Sequence, residues 1–292
     1  MIAATERAQV RPLRLLAGGL QSPGLEAGPA GAREAVVFVH GNPGSSADWQ
    51  DLVARVGVFA RAVAVDMPGF GQADKPRTGF EYTVTGYAAQ LEAILGELGI
   101  DRAHLVLHDF GGPWGLAWAA QHPGAFASAV LINTGILPGY RWHYLARIWR
   151  TPVLGELFLA SSTRPAFGLL LRHGNSGGLP GPFLDRMYRD MDRGTKHAIL
   201  ALYRDTDDPA GASALLTAAL APLHRPALVV WGVRDPYIPA AQAQNQDQAF
   251  AVEQVVLLPE SGHWPFVDNP EAVAAAAVPF LRRMVGAQDA GG

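Results

Sequence analysis

The run Leu105-Val106-Leu107-His108-Asp109-Phe110-Gly111-Gly112 ends an apolar segment on a carboxylate and follows it with glycines and an apolar, helix-like stretch. That is the layout of a strand, a tight turn and a helix, with one reactive side chain exposed above a sheet. In the common small-x-Ser-x-Gly form of this turn the reactive position is serine; here it is Asp109. The change of atom type restricts the chemistry. A serine alkylated at a saturated carbon becomes an ether, which neutral water does not cleave. An aspartate alkylated there becomes an ester, which a second step can hydrolyse. An Asp109 nucleophile therefore calls for a leaving group on an sp3 carbon, such as a halide or an epoxide oxygen.

Two further groups follow in the order acid, then histidine. Asp235 lies in Val233-Arg234-Asp235-Pro236, just after the apolar run Ala227–Gly232, and His263 lies in Glu260–Phe266 after the next run. Both fall at carboxyl ends of expected parallel strands, where open α/β sheets assemble their sites. The expected roles are attack by Asp109, removal of a proton from the hydrolytic water by His263, and orientation of the imidazole by Asp235. The bland alternative for Asp235 is a helix cap near Pro239. No acid follows the run Ser128–Asn133, which favours Asp235 as the third member. His40-Gly41-Asn42-Pro43-Gly44 follows the first buried run. A backbone N–H there and that of Phe110 are expected to form an oxyanion hole, and the Asn42 amide to donate to a departing group. Phe110 itself reads as pocket wall, and His40 and His108 as structural hydrogen-bonders.

The elements that must place these residues are legible from apolar periodicity. Ala35–His40, Ala60–Asp66, Ala103–His108, Ser128–Asn133, Ala227–Gly232 and Gln254–Leu258 read as strands, their continuous apolar character suiting a parallel sheet covered on both faces. Val84–Leu98, Gly112–Gln121, Pro239–Phe250 and Pro270–Met284 read as helices, the last bent or shortened by Pro279. Val10–Leu20 reads as antiparallel edge strands, and Ala287–Gly292 as a frayed tail. The alternation breaks between Leu137 and Leu223, where helical patches at Tyr144–Arg150 and Phe183–Arg204 flank a Gly-rich loop, Gly174–Pro182. The expected organisation is one α/β core, residues 1–137 and 224–292, with a helical cap inserted at 138–223.

Hydrophobic residues at 49% and charged residues at 17% describe a globular rather than a disordered chain. A formal charge of −3 leaves no basic footprint for nucleic acid. The 292 residues include no cysteine, so disulfides and thiolate metal sites are excluded. No apolar run spans a membrane and the first residues lack a secretory pattern, so a cytoplasmic enzyme is expected.

From Val36 onward the chain resembles the α/β-hydrolase superfamily, and within it the haloalkane dehalogenases. The residues that carry the resemblance are HGNPGSSADW (His40–Trp49), DMPGFGQADKP (Asp66–Pro76), HDFGG (His108–Gly112), RTPVLGELF (Arg150–Phe158), WGVRDPYIP (Trp231–Pro239) and GHWPFVDNP (Gly262–Pro270). The resemblance implies an α/β-hydrolase fold, a mostly parallel sheet flanked by helices with an inserted cap. It implies conversion of a small, mostly apolar haloalkane to alcohol and halide, without metal or organic cofactor. It also implies a halide held by the asparagine of HGNP, matched by Asn42, and by a tryptophan after the nucleophile, where this chain has Phe110. Trp142 or Trp149 in the cap is the expected replacement donor. Epoxide hydrolases share the two-step chemistry and use cap tyrosines as acids, a role open to Tyr144, Tyr188 and Tyr203. A member of the fold that binds a ligand without turning it over is a further alternative, against which the complete triad argues.

Overall fold

The computed structural model describes residues 6–175 and 177–286; the tail expected to fray lies outside them. The strands are β1 (Arg11–Leu13), β2 (Leu16–Ala17), β3 (Leu20–Gln21), β4 (Gly24–Ala27), β5 (Glu34–Val39), β6 (Arg61–Val65), β7 (Arg102–His108), β8 (Phe126–Ile132), β9 (Pro226–Gly232) and β10 (Ala251–Leu258). The helices are α1 (Gln50–Val56), α2 (Val84–Glu97), α3 (Gly111–Gln121), α4 (Tyr144–Arg150), α5 (Leu154–Ala160), α6 (Arg164–Gly174), α7 (Gly181–Asp190), α8 (Arg193–Asp205), α9 (Pro209–Leu220), α10 (Pro265–Asp268) and α11 (Pro270–Gly286).

Eight strands form one sheet in the order β1-β4-β6-β5-β7-β8-β9-β10. From β6 to β10 the neighbours are parallel, while β1 and β4 close one edge antiparallel. The central strands are buried along almost their whole length because helices cover both faces. At the opposite edge β10 is largely exposed, as its Glu253 and Gln254 require. The register sets His108 beside Ile132, so the residues that follow them, Asp109 and Asn133, leave the sheet side by side.

Helices α4 to α9 all lie between β8 and β9. Among them α4 packs on α5 and α8, α6 packs on α7, and α9 lies against α3. Two details differ from the sequence reading. The segment expected as a helix over Pro239–Phe250 is a 3-10 helix over Ala240–Gln248. Pro279 does not end α11, which continues to Gly286. Pro279 is on the exposed face, where water can take the carbonyl it frees, and buried Val273, Ala277, Phe280 and Leu281 anchor the helix on either side. No helix among the described residues is long and apolar enough to cross a membrane.

Candidate active site

Asp109 sits between β7 and α3 with φ 49°, in the left-handed region that a side chain rarely adopts. The surroundings hold it there. Thr134 Oγ1 donates to the Asp109 carbonyl at 2.6 Å, and the Gly112 amide donates to the same oxygen at 2.9 Å. The glycines are required by close approach. A Cβ on Gly111 would lie 2.3 Å from the Val39 carbonyl oxygen, and one on Gly112 1.9 Å from Thr134 Oγ1. At Gly41 a Cβ would come within 2.3 Å of the Asp109 Cβ. Gly41→Ala is therefore expected to displace the carboxylate and cut kcat/KM about 100-fold, with an unchanged circular dichroism spectrum.

The Asn42 backbone N–H donates to Asp109 Oδ1 at 2.7 Å, which leaves Oδ2 facing His263 Nε2 at 3.6 Å. Among the described residues no corresponding bond to the resting carboxylate comes from the Phe110 amide, which stands at the start of α3. His263 Nδ1 donates to Asp235 Oδ2 at 2.8 Å. Asp235 is saturated: Oδ1 accepts from the Tyr237 and Ile238 amides at 2.8 and 3.1 Å, and Oδ2 also accepts from Asn133 Nδ2 at 2.7 Å. Asn133, at the end of β8 with φ 47°, accepts the Gly232 amide through Oδ1 at 2.8 Å. It thus locks the acid's strand to its neighbour, a role that the sequence reading missed.

The electrostatics follow from burial and pairing. Burial alone would raise the Asp109 pKa, but pairing with His263 outweighs it and holds the carboxyl at about 2. Burial would lower His263, but the Asp235 charge and the bonds to both carboxylates raise it above the usual imidazole range. Burial brings His108 down to about 3, so it stays neutral and donates Nε2–H to the His263 carbonyl oxygen at 2.7 Å. His40 likewise supports backbone, accepting the Met67 amide at Nε2 and donating from Nδ1 to the Gly41 carbonyl.

Above Asp109 a second polar set faces the cavity. Asn42 Nδ2 lies 3.4 Å from Tyr203 Oη, and His143 Nε2 lies 3.5 Å from the same oxygen. His143 caps α4 by accepting the Ala146 amide at Nδ1, and burial holds its pKa at about 4. Its proton therefore resides on Nε2, directed at Tyr203. With N–H groups on both sides of its oxygen, Tyr203 keeps its own O–H to donate. Burial, and next the Asp109 charge, push that phenol well up, so it stays protonated. His143 was not legible in the sequence; a histidine cap inside the stretch Arg141–Tyr144 carries no periodic or motif signal.

Two cavities meet this cluster. One contains Asn42, Asp109, His263, Trp149 and Tyr203 in its wall; the other contains Asp109, Phe110, Trp142 and Tyr203. Phe110 stacks on Trp142 with ring centroids 6.1 Å apart, and Trp149 lies 4.9 Å from the Tyr203 ring. The indole Nε1 atoms of Trp142 and Trp149 are buried without a hydrogen-bond partner, as is Asn42 Oδ1. Tyr144 and Tyr188, expected at the pocket, line neither cavity. Tyr144 is 39% exposed on α4, and Tyr188 on α7 turns its hydroxyl to the Ser162 carbonyl. Helical spacing placed their Cα atoms among the inserted helices but not the direction of their side chains.

The fold and this constellation place the chain in a known class. It belongs to the alpha/beta hydrolase family, whose model matches residues 36–276. Within that family it is related to haloalkane dehalogenases at low identity. Haloalkane dehalogenase DbeA from Bradyrhizobium elkani superposes with a TM-score of 0.83 at 25% identity, covering 96% of this chain and 100% of that one. A haloalkane dehalogenase from Agrobacterium fabrum is 38% identical over 140 residues, 46% of this chain and 45% of its own length. A cis-3-alkyl-4-alkyloxetan-2-one decarboxylase from Xanthomonas campestris pv. campestris is 28% identical, covering 95% of this chain and 96% of the relative.

Proposed function

We propose that this protein is a hydrolase that alkylates Asp109 and then hydrolyses the ester, acting as a haloalkane dehalogenase on a small, mostly apolar substrate. The observation that carries the reading is Asp109 with Oδ1 tethered to the Asn42 amide and Oδ2 facing His263 Nε2 at 3.6 Å. Oδ2 attacks the carbon opposite the halogen; the C–O bond forms as the carbon–halogen bond breaks and the halide leaves with the electron pair. Asn42 Nδ2 and the Tyr203 O–H are the donors that receive it. His263 then takes a proton from water as the water oxygen adds to the ester carbonyl, with the Asn42 and Phe110 amides stabilising the oxyanion. Collapse releases the alcohol and restores Asp109. The inserted helices act as the cap, Asp235 and Asn133 fix the imidazole, and no cofactor enters the scheme. The test is turnover of 1-bromobutane in 18O-labelled water. Bromide, butanol and 18O in the Asp109 carboxylate are expected; folded protein that releases no bromide overturns the reading.

A second reading takes an oxygen leaving group, favoured by the Tyr203 phenol where an indole would hold a halide. A phenol can surrender its proton to an oxygen anion, whereas a halide needs only the hydrogen bond. An epoxide fits, as does the four-membered oxetan-2-one ring named for the Xanthomonas relative. Tyr203 is then the acid next to Asn42; Tyr140 and Tyr237 also stand in the cavity walls, Tyr140 with its O–H donated to the Tyr237 carbonyl, whereas Tyr144 and Tyr188 line neither cavity. Tyr203→Phe discriminates: loss of styrene oxide opening by about 100-fold or more, with bromide release from 1-bromobutane lowered less, marks an oxygen leaving group. Equal loss on both substrates assigns Tyr203 to halide binding.

A further inference from the structure

The cavity that reaches Asp109 is divided. The first chamber is walled by Trp149, Phe158, Phe167 and Leu170; the second, of comparable size, is walled by Pro113, Leu137, Trp142 and Leu216. They share three residues, Asp109, His143 and Tyr203. The nucleophile and the leaving-group donor thus stand at the junction, not at the end of a single tunnel. The serine and threonine hydroxyls inside the chambers are engaged by the protein itself. Ser162 donates to the Leu159 carbonyl, Ser213 accepts the Leu137 amide, and Thr206 donates to the Leu202 carbonyl. Away from the tyrosine hydroxyls and the indole N–H groups of Trp142 and Trp149, what each chamber offers a ligand is apolar contact.

We infer that the site takes a substrate whose reacting carbon lies inside a chain, with one apolar arm in each chamber. This rests on the reading that Asp109 is alkylated. Displacement at carbon puts the nucleophile and the leaving group on opposite sides, so the remaining substituents splay sideways. At the junction, sideways leads into the two chambers. The two are of comparable size, so arms of similar length suit them. A terminal halide fills one chamber and leaves the apolar wall of the other without a partner. Each methylene moved from water into such a chamber favours binding about fourfold.

The test compares two isomers of identical composition, both secondary bromides: 5-bromononane, with two butyl arms, and 2-bromononane, with one long arm and a methyl. The expected result is a kcat/KM at least about tenfold higher for 5-bromononane. Leu170→Trp and Leu216→Trp, at half-buried positions, each narrow one chamber. Either is expected to lower kcat/KM for 5-bromononane at least about tenfold, while one of the two spares 2-bromononane. Equal or better turnover of 2-bromononane overturns the inference and leaves the dehalogenase reading intact. The isomer comparison on the unaltered protein stands even where a tryptophan variant fails to fold. Where neither bromide reacts, calorimetric binding of 5-nonanone against 2-nonanone decides. Preference for the 5-ketone keeps the two-armed site and removes the halide chemistry; no preference removes both.

Discussion

His263→Phe is expected to release a single equivalent of bromide from 1-bromobutane and then stop, with a butyl group left on Asp109. Phenylalanine keeps a ring in the space and removes both nitrogens. Asp109 remains able to attack, because the Asn42 amide still holds Oδ1 and the Asn42 and Tyr203 side chains still face the cavity. Hydrolysis of the ester, by contrast, loses its base. His108 cannot substitute, since its Nε2–H is committed to the carbonyl of residue 263 and burial keeps it from accepting a proton. Steady-state turnover should fall by about 10,000-fold, the upper range for loss of a general base. Intact-protein mass spectrometry and peptide mapping check the adduct and its location. Sustained bromide release would show that another group activates the water.

The same two-step logic fixes the pH dependence. Asp109 is ionised above about pH 2, so the bromide burst should persist into acid until the fold itself fails. In the resting enzyme burial works against the His263 charge, and Asp235 and Asp109 together overcome it. Alkylation converts Asp109 to a neutral ester and removes its share of that support. The imidazole of the intermediate therefore loses its proton at a lower pH than in the resting enzyme. On the proposed mechanism turnover needs that neutral imidazole, so kcat is expected to fall as pH drops through the intermediate's value while the burst amplitude does not. Rapid-quench measurement of both quantities in the unaltered enzyme separates them.

How much of this was legible before folding varied with the kind of signal. The apolar runs ending at His108, Gly232 and Leu258 located the sheet, because a strand covered on both faces leaves a continuous apolar trace in the sequence. Asp109, Asp235 and His263 were legible because each lies beyond the carboxyl end of such a run, and the parallel order of the strands brings those ends together. Asn133 stands where the sequence offers no acid, yet its use as a clamp on Asp235 depends on φ 47° and on the position of the Gly232 amide, which are tertiary facts. The inserted helices were harder. Their periodicity marks helix faces, but which face meets the cavity depends on how six helices pack on one another. Tyr203 on α8 enters both cavity walls, whereas Tyr144 on α4 is 39% exposed and enters neither; nothing in their sequence neighbourhoods separates them.

Asp109→Ala is expected to abolish both bromide release and adduct formation, lowering kcat/KM by about a million-fold, the scale of removing a nucleophile that works as part of a unit. The loss should exceed that of His263→Phe in kind as well as size, because the first bond cannot form and no burst remains. The fold should survive. The backbone at 109 is held by Thr134 and by the start of α3, neither of which uses the carboxylate, and Asp235 still pairs His263. Asp109→Asn is a less decisive variant, since slow deamidation regenerates the acid and its mass shift must be followed alongside activity. In the double variant Asp109→Ala with His263→Phe, the butyl adduct seen in His263→Phe alone should vanish. An adduct that persisted there would sit on another residue, and the aspartate-nucleophile mechanism would fall with it.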